Sequence, residues 1–208
     1  PLDFLEEATK LLVEQDQYLP IIIGADIARY GDDMTCICVL QGAKILRLDR
    51  YPHLSTMETA GRLARYIDEF KPLSARIDTV GVGGGVYDRL KELKYPQIKS
   101  INMGSSCTSD EAKRQFLNLR AESHWHLRNL LETKVLSLPL GDQKLIAQMS
   151  DITYDVTSTG KIKVESKEDL RGRGKKSPDA LDALLLATLP FTQPAQKQIG
   201  RVGLFQQN

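Results

Sequence analysis

The chain has 208 residues, of which 41% are hydrophobic and 26% are charged, and its formal net charge is +1 at pH 7. A chain of this length and composition is long enough to bury the core of one globular domain, and it lacks the bias of a disordered protein. Because the charge is nearly balanced, attraction to nucleic acid would have to come from local basic clusters and not from the field of the whole molecule.

The N-terminal segment and the cysteines bear on where the protein works. Residues 1–20 are acidic and amphipathic, lack an initiating Met, and have neither the basic start nor the apolar centre of a signal peptide. We therefore expect a piece of a longer protein. No apolar stretch approaches the roughly 18 residues that a membrane helix needs. The odd set of Cys36, Cys38 and Cys107 favours a reducing compartment over a disulfide framework.

The first half of the chain predicts a helix, a three-stranded antiparallel meander and then alternating helices and strands. Breaker residues at 29–33 and at 41–42 separate the strands of the meander, and Ser55 is placed to cap the second helix. The predicted elements are a helix over 2–15, strands over 21–28, 34–41 and 43–51, a helix over 56–70, a strand over 74–82, a helix over 86–94 and a strand over 96–103.

The second half predicts mostly helices. The predicted elements are one long helix over 109–132, a short strand over 135–138, a helix over 142–148, a hairpin that turns at 158–160, a charged stretch over 163–177 and an apolar helix that begins at Pro178. The Gln-rich segment after Pro190 is expected to be loose. A meander followed by strand, helix and strand indicates an α/β fold with a mixed central sheet flanked by helices.

Four aspartates stand beside or inside apolar runs on three separate predicted elements. Asp26 lies in the first strand, Asp78 in the fourth, and Asp179 and Asp182 on the last helix. An ionised carboxylate in such surroundings is costly unless a cation or a set of hydrogen-bond donors compensates it. One divalent metal centre would explain why all three elements carry an aspartate in apolar surroundings.

The type of ligand predicts the metal and the chemistry. Carboxylate oxygens favour Mg²⁺ or Mn²⁺ over zinc, and the histidines at 53, 124 and 126 are not spaced like a zinc site. Two such ions, about 4 Å apart, activate water on one side of a phosphodiester and stabilise the leaving oxygen on the other. We interpret Cys36 and Cys38 as strand neighbours that face one side of a sheet.

Four motifs carry a family resemblance. In chain order they are GADIARYGDD at 24–33, RIDTVGVGGGVYDRL at 76–90, NLRAESHWHLRNLLE at 118–132 and KEDLRGRGKKSPDALDALLLA at 167–187. This series resembles the C-terminal nuclease domain of the terminase large subunit of tailed bacteriophages. The resemblance covers residues 20–190 and implies a ribonuclease-H-like fold there. It also implies that residues 1–19 lead from an upstream ATPase domain and that residues 191–208 form a flexible tail.

The resemblance implies a metal-dependent endonuclease that cuts concatemeric double-stranded DNA when genome packaging starts and ends. It assigns Asp26, Asp78 and Asp179 as catalytic metal ligands for two Mg²⁺ or Mn²⁺ ions, with Asp26 between them. Asp182 is either a further ligand or a supporting group. The implied partners are double-stranded DNA, the portal protein, the small terminase subunit and the ATPase domain of the same polypeptide. The implied location is the host bacterial cytoplasm, with no membrane association.

The charged stretch before Pro178 is the candidate DNA surface. It is rich in long basic side chains, which suit phosphate contacts next to a metal centre. These residues are Lys167, Arg171, Arg173, Lys175 and Lys176.

Three other readings stay open. IGADIARYGD and DTVGVGGG resemble the phosphate loops of actin-like kinases and ATPases, although that fold needs a duplicated domain about twice this length. A junction resolvase or transposase would share the ribonuclease-H-like fold. A catalytically idle docking module of a packaging motor would keep the fold and lose the chemistry.

Overall fold

The structure, a computed structural model, describes residues 2–28 and 33–190 and is built on a mixed five-stranded sheet. The strands are β1 (Ile21–Asp26), β2 (Met34–Gln41), β3 (Lys44–Pro52), β4 (Ser74–Asp78) and β5 (Ile98–Ile101). Their order across the sheet is β3-β2-β1-β4-β5, and a separate hairpin consists of β6 (Tyr154–Val156) and β7 (Ile162–Val164). The β1-β2 and β2-β3 pairs are antiparallel, whereas β4 runs parallel to both β1 and β5.

Helices cover both faces of the sheet. They are α1 (Leu2–Lys10), α2 (Thr56–Phe70), α3 (Gly83–Glu92), α4 (Asp110–Gln115), α5 (Leu119–Glu132), α6 (Gln143–Asp151), α7 (Lys167–Gly172) and α8 (Asp179–Thr188). On one face, α2 and α3 pack on the sheet. On the other face α8 lies against the strands, and α1, α5 and α6 cover it. None of the described helices is long and apolar enough to cross a membrane.

The alternation of side chains along β2 explains the two cores. Cys36 and Cys38 belong to the core on the α8 face, whereas Ile37 and Val39 belong to the core on the α2 face. A strand that is buried on both sides reads as a continuous apolar run, as this one does. The three cysteines are free and buried.

The predicted mixed sheet flanked by helices is confirmed, as are the antiparallel meander and the hairpin that turns at 158–160. The predicted cap of α2 is confirmed as well. The Ser55 hydroxyl accepts a hydrogen bond from the Glu58 N–H, and the Glu58 side chain accepts one from the Ser55 N–H. This reciprocal arrangement satisfies two helix-end donors.

The predicted helix over 109–132 is wrong as one element, because the chain breaks between α4 and α5. Phe116 is extended and forms a bridge with Ile162 of the hairpin, and the Asn118 side chain caps α5 by accepting from the Ala121 N–H. Docking of Phe116 on the hairpin is a tertiary contact that helical periodicity does not reveal.

Several boundaries also differ from the predictions. The first helix ends at Lys10 and the fourth strand at Asp78, and α3 begins at Gly83, inside the glycine run that was expected to precede it. The predicted strand over 135–138 reduces to an isolated bridge between Ser137 and Lys44. The charged stretch contains a short helix, α7, which Ser166 and Asp169 cap reciprocally. Residues 29–32 of the predicted turn at 29–33 and the tail after Pro190 lie outside the described residues.

Candidate metal centre

Two of the predicted carboxylates lie at the ends of neighbouring parallel strands. Asp26 is the last residue of β1 and Asp78 is the last residue of β4, and the preceding residues, Ala25 and Ile77, are paired in the sheet. Because Ala25 and Ile77 face the α2 core, strand alternation turns both aspartates toward α8. The Asp78 side chain accepts a hydrogen bond from the Val80 N–H at 3.1 Å, which holds the carboxylate beside the start of the glycine-rich turn.

The other two carboxylates lie on the first turn of α8, directly across from these strand ends. Asp179 and Asp182 are three residues apart and so share one side of the helix. The Met34 N–H, at the start of β2, donates to Asp179 Oδ2 at 2.7 Å and ties the helix to the sheet. The fractional exposures of Asp26, Asp179 and Asp182 are 7%, 6% and 5%.

Close packing of α8 on β1 brings the two pairs of carboxylates together. A Cβ atom at Gly24 would overlap the carbonyl oxygen of Ala183 and the nitrogen of Ala187, both in the backbone of α8. At the other end of the helix, the buried Arg76 of β4 donates to the carbonyl oxygens of Leu186 and Leu189 at 3.0 and 2.8 Å. A cation among the last carbonyls of a helix complements the helix dipole.

Lys167, on the first turn of α7, lies within the carboxylate cluster. Its Nζ is 3.1 Å from Asp26 Oδ2 and 2.8 Å from Asp182 Oδ2. Arg120 of α5 pairs with the other oxygen of Asp182, with Nη1 3.1 Å from Oδ1. Two cationic side chains thus accompany the four carboxylates.

The electrostatics of the cluster follow from burial and from these two cations. Burial raises the pKa of Asp26 to about 7, with Asp182 and Asp179 adding to the shift and Lys167 opposing it. Burial also raises the pKa of Asp78 and of Asp179. At Asp182, burial is outweighed by Lys167 and Arg120, and its pKa is lowered. Burial disfavours the ammonium form of Lys167, but the attraction of Asp26 and Asp182 is stronger and raises its pKa.

These residues suit a divalent cation by their chemistry. Burial makes the ionised forms of Asp26, Asp78 and Asp179 costly, and a hard cation that prefers oxygen ligands would relieve that cost. The ammonium group of Lys167 contacts one of these three carboxylates, Asp26, together with Asp182. No group of three or more His, Cys, Asp or Glu within residues 2–28 and 33–190 is arranged to hold an ion as it stands. A cation at Asp26 would compete with the ammonium group of Lys167.

Most of the predicted DNA-binding residues are engaged in ion pairs. Arg171 pairs with Asp33 at 2.6 Å, Arg173 with Glu165 at 2.7 Å and Lys175 with Asp151 at 2.6 Å. Lys167 is in the carboxylate cluster, and Lys176 is exposed without an ion-pair partner in the described part of the chain. The basic stretch is therefore a surface on which acidic neighbours already balance most of the cations.

Two residues of the cluster were not assigned to it from sequence. The sequence groups Lys167 with the basic stretch, although its capping signal, Ser166 with Asp169, places it on the first turn of a helix. Arg120 carried no signal beyond its place in the third motif. Its partner, Asp182, is 62 residues away in the chain.

No protein-family model and no curated protein sequence matches the chain. Among solved structures, it is similar to the nuclease domain of the large terminase subunit gp2 of bacterial virus Sf6, with a TM-score of 0.81 and 20% identity over 90% of this chain and 96% of that one. It is also similar to the large terminase nuclease of thermophilic phage G20c with bound magnesium, with a TM-score of 0.63 and 16% identity over 88% of this chain and 95% of that one. For the nuclease domain of Thermus phage P74-26, the TM-score is 0.59 and the identity 15%, over 88% of this chain and 93% of that one.

A K428A mutant of the Sf6 domain with manganese matches with a TM-score of 0.77 and 18% identity, over 90% of this chain and 97% of that one. The chain thus has the ribonuclease-H-like fold of phage large-terminase nuclease domains, with which it shares 15–20% sequence identity.

Proposed function

We propose that this chain is the nuclease domain of a phage large terminase subunit and that it cuts double-stranded DNA with divalent metal ions. The observation that carries the proposal is the meeting of Asp26, Asp78 and Asp179 at one edge of the sheet. Each of these carboxylates comes from a different element and is buried enough for its pKa to be raised. The likeness of the whole fold to terminase nuclease domains, some of them with bound magnesium or manganese, supports the same function.

Asp26, Asp78 and Asp179 are the residues that would hold two Mg²⁺ or Mn²⁺ ions. When bound, such ions activate water and stabilise the leaving oxygen of a phosphodiester. The contribution of the chain is to fix its carboxylates beforehand. The Met34 N–H orients Asp179, the Val80 N–H orients Asp78, and the cross-strand pairing of β1 with β2 and β4 orients Asp26. The side chain of Lys167 balances Asp26 until a cation takes its place.

We also propose the biological setting of this reaction. The substrate is concatemeric DNA, cut at the start and at the end of genome packaging in the cytoplasm of the bacterial host. In that setting the domain would work beside an ATPase domain of the same polypeptide, the small terminase subunit and the portal protein. The basic stretch, with Lys176 unpaired among the described residues, would lie along the DNA backbone next to the carboxylates.

The test is conversion of supercoiled plasmid to nicked and linear forms, with Mg²⁺, Mn²⁺ or EDTA. We expect cutting with metal, none with EDTA, and a loss of at least about 100-fold for Asp26→Asn, since removing one metal ligand of a metalloenzyme removes most of its rate. Asp68→Asn is the matched control, because Asp68 is exposed on α2, on the opposite face of the sheet, where it accepts a hydrogen bond from Tyr95. An Asp26→Asn variant that cuts at the wild-type rate would refute the assignment.

The alternatives give other results in the same experiment. An actin-like kinase or ATPase fragment would bind nucleotide in calorimetry and leave the plasmid intact. A junction resolvase would cut a four-way junction in preference to plasmid. A docking module would neither bind nucleotide nor cut DNA.

A further inference from the structure

Arg120 joins two elements of the site that are far apart in the chain. Its Nη1 donates to Asp182 Oδ1 on α8 at 3.1 Å, and its Nε donates to the carbonyl oxygen of Glu165 at 3.2 Å. Its own backbone N–H is held by the Met103 carbonyl at 2.8 Å. The side chain is 13% exposed, so these bonds form largely out of water.

Glu165 matters because it leads directly into the helix that carries Lys167. Ser166 caps that helix, α7, and Lys167 is its first residue. By holding the Glu165 carbonyl and the Asp182 carboxylate with one guanidinium, Arg120 sets the start of α7 against the first turn of α8. A planar group with donors in a fixed fork can impose such a spacing, whereas a lysine presents a single charged point.

Asp182 is surrounded by cations on both sides. Its Oδ1 pairs with Arg120 and its Oδ2 pairs with Lys167. Of the four carboxylates in the cluster, Asp182 has a lowered pKa, whereas Asp26, Asp78 and Asp179 have raised ones. Asp182 therefore pairs with two cations within the protein and Asp26 with one, whereas Asp78 and Asp179 form no ion pair among the described residues.

We propose that Arg120 is a positioning residue for the centre, which acts through Asp182 and the start of α7 to set where Lys167 stands relative to Asp26. This inference rests on the proposed nuclease function. In this arrangement Asp182 is the counter-ion of Arg120 and Lys167 and is not a metal ligand. Of the two roles that the sequence leaves open for Asp182, the contacts favour the supporting one.

The first test is the effect of Arg120→Gln on cutting and on metal activation, measured separately. We expect the rate of plasmid cutting at saturating Mn²⁺ to fall by about 10-fold to 100-fold, as for other groups that orient a metal site from outside it. The Mn²⁺ concentration for half-maximal cutting should not rise, because Asp26, Asp78 and Asp179 remain and Lys167, which competes with a cation for Asp26, is held less firmly. Arg120→Lys should recover part of the rate, since a lysine keeps the charge and reaches one of the two acceptors.

The second test is whether Arg120 acts through Asp182. Arg120→Gln removes one of the two cations that pair with the buried Asp182 carboxylate, and adding Asp182→Asn removes the charge of that carboxylate. The double variant should therefore lose no more rate than the worse single variant. Rate losses that multiply would mean that the two residues act independently and would overturn the proposal.

Arg128→Gln is the matched control, because Arg128 is on the same helix and pairs with Glu132 on the exposed surface at 2.8 Å. It should cut like the wild type. A rise in half-saturating Mn²⁺ in the Arg120→Gln variant, with no recovery by Arg120→Lys, would show a merely loosened fold and would overturn the positioning role.

Unfolding in urea with EDTA keeps this inference separate from the proposed function. If the wild type does not cut DNA at all, the proposed function fails. The wild type, Arg120→Gln, Asp182→Asn and the double variant form a double-mutant cycle. Even without activity, non-additive unfolding free energies of these four proteins show that the two residues are coupled. Additive values would overturn the positioning role regardless of activity.

Discussion

At the scale of single residues, the centre is a set of buried charges of both signs. Asp26, Asp78 and Asp179 could be singled out from the sequence, because a carboxylate inside an apolar run is rare unless a partner compensates its charge. The contacts of Lys167 could not be predicted in the same way. They depend on where α7 docks, and Asp26 is 141 residues away in the chain.

Lys167→Ala should destabilise the protein without metal and increase the stabilisation that metal provides. The substitution leaves Asp26 without its ion-pair partner and removes the group that competes with a cation. In EDTA we expect a loss of about 1–3 kcal/mol, below the roughly 3–5 kcal/mol of a fully buried pair because the Lys167 side chain is 28% exposed. Thermal unfolding with and without Mn²⁺ measures both effects. A metal-induced shift smaller than that of the wild type would contradict the account.

His124 gives a pH dependence of known sign. Burial lowers its pKa to about 4, with the nearby charge of Arg120 adding to the shift, while its Nδ1 stays bonded to the Arg120 carbonyl oxygen at 2.8 Å. The unfolded chain takes up this proton below the ordinary pKa of about 6.5, before the folded chain does. The stability contribution is therefore complete above about pH 6.5 and is lost as the pH falls toward 4.

His124→Asn should remove this dependence, because an asparagine keeps a donor near the Arg120 carbonyl and does not titrate. Between pH 6.5 and pH 4, the wild type should lose up to about 3 kcal/mol more stability than the variant. Urea unfolding at a series of pH values in EDTA measures the difference. Equal losses in the two proteins would mean that His124 takes up its proton as easily folded as unfolded.

At the scale of elements, the seating of α8 on β1 is what brings carboxylates from helix and sheet together. The β strands were predicted well, because β1 and β2 are apolar runs bounded by breakers. Helix α7 was missed because charged residues dominate its six positions and only its capping box indicates a helix. The break before α5 was missed because it depends on Phe116 docking against β7.

Gly24→Ala tests this seating directly. The added methyl group would overlap the backbone of α8 at Ala183 and Ala187, so the helix would have to shift away from β1. We expect a loss of at least about 2 kcal/mol of stability, as for other overpacked cores, together with loss of cutting. Gly61→Ala is the control. Gly61 lies in the middle of α2 with no neighbouring atom in the way, and the change should stabilise the protein by about 0.5–1 kcal/mol.

At the scale of the whole molecule, a net charge of +1 gives no general attraction to DNA. Binding must come from local cations, and most of those in the predicted basic stretch are paired with Asp33, Asp151 or Glu165. The sequence shows the net charge and the cluster of basic residues. It does not show that these residues form ion pairs, because their acidic partners come from other parts of the chain.

The salt dependence of DNA binding should therefore differ along the stretch. Lys176→Gln removes a cation with no ion-pair partner in the described part of the chain. The slope of log affinity against log salt is negative, and its magnitude should decrease by about 0.9, the value for one phosphate contact. Lys175→Gln leaves Asp151 unpaired and should change the slope less. Fluorescence anisotropy at several salt concentrations measures both slopes. Equal slopes for wild type and Lys176→Gln would remove Lys176 from the DNA surface.

The most direct test of the central claim is a calorimetric titration of Mn²⁺ into the wild type and into Asp26→Asn, Asp179→Asn and Asp68→Asn. We predict saturable binding by the wild type and by Asp68→Asn, and a loss of that binding in both Asp26→Asn and Asp179→Asn. Absence of binding in the wild type, or equal binding in all four proteins, would contradict the claim that these carboxylates form a metal centre.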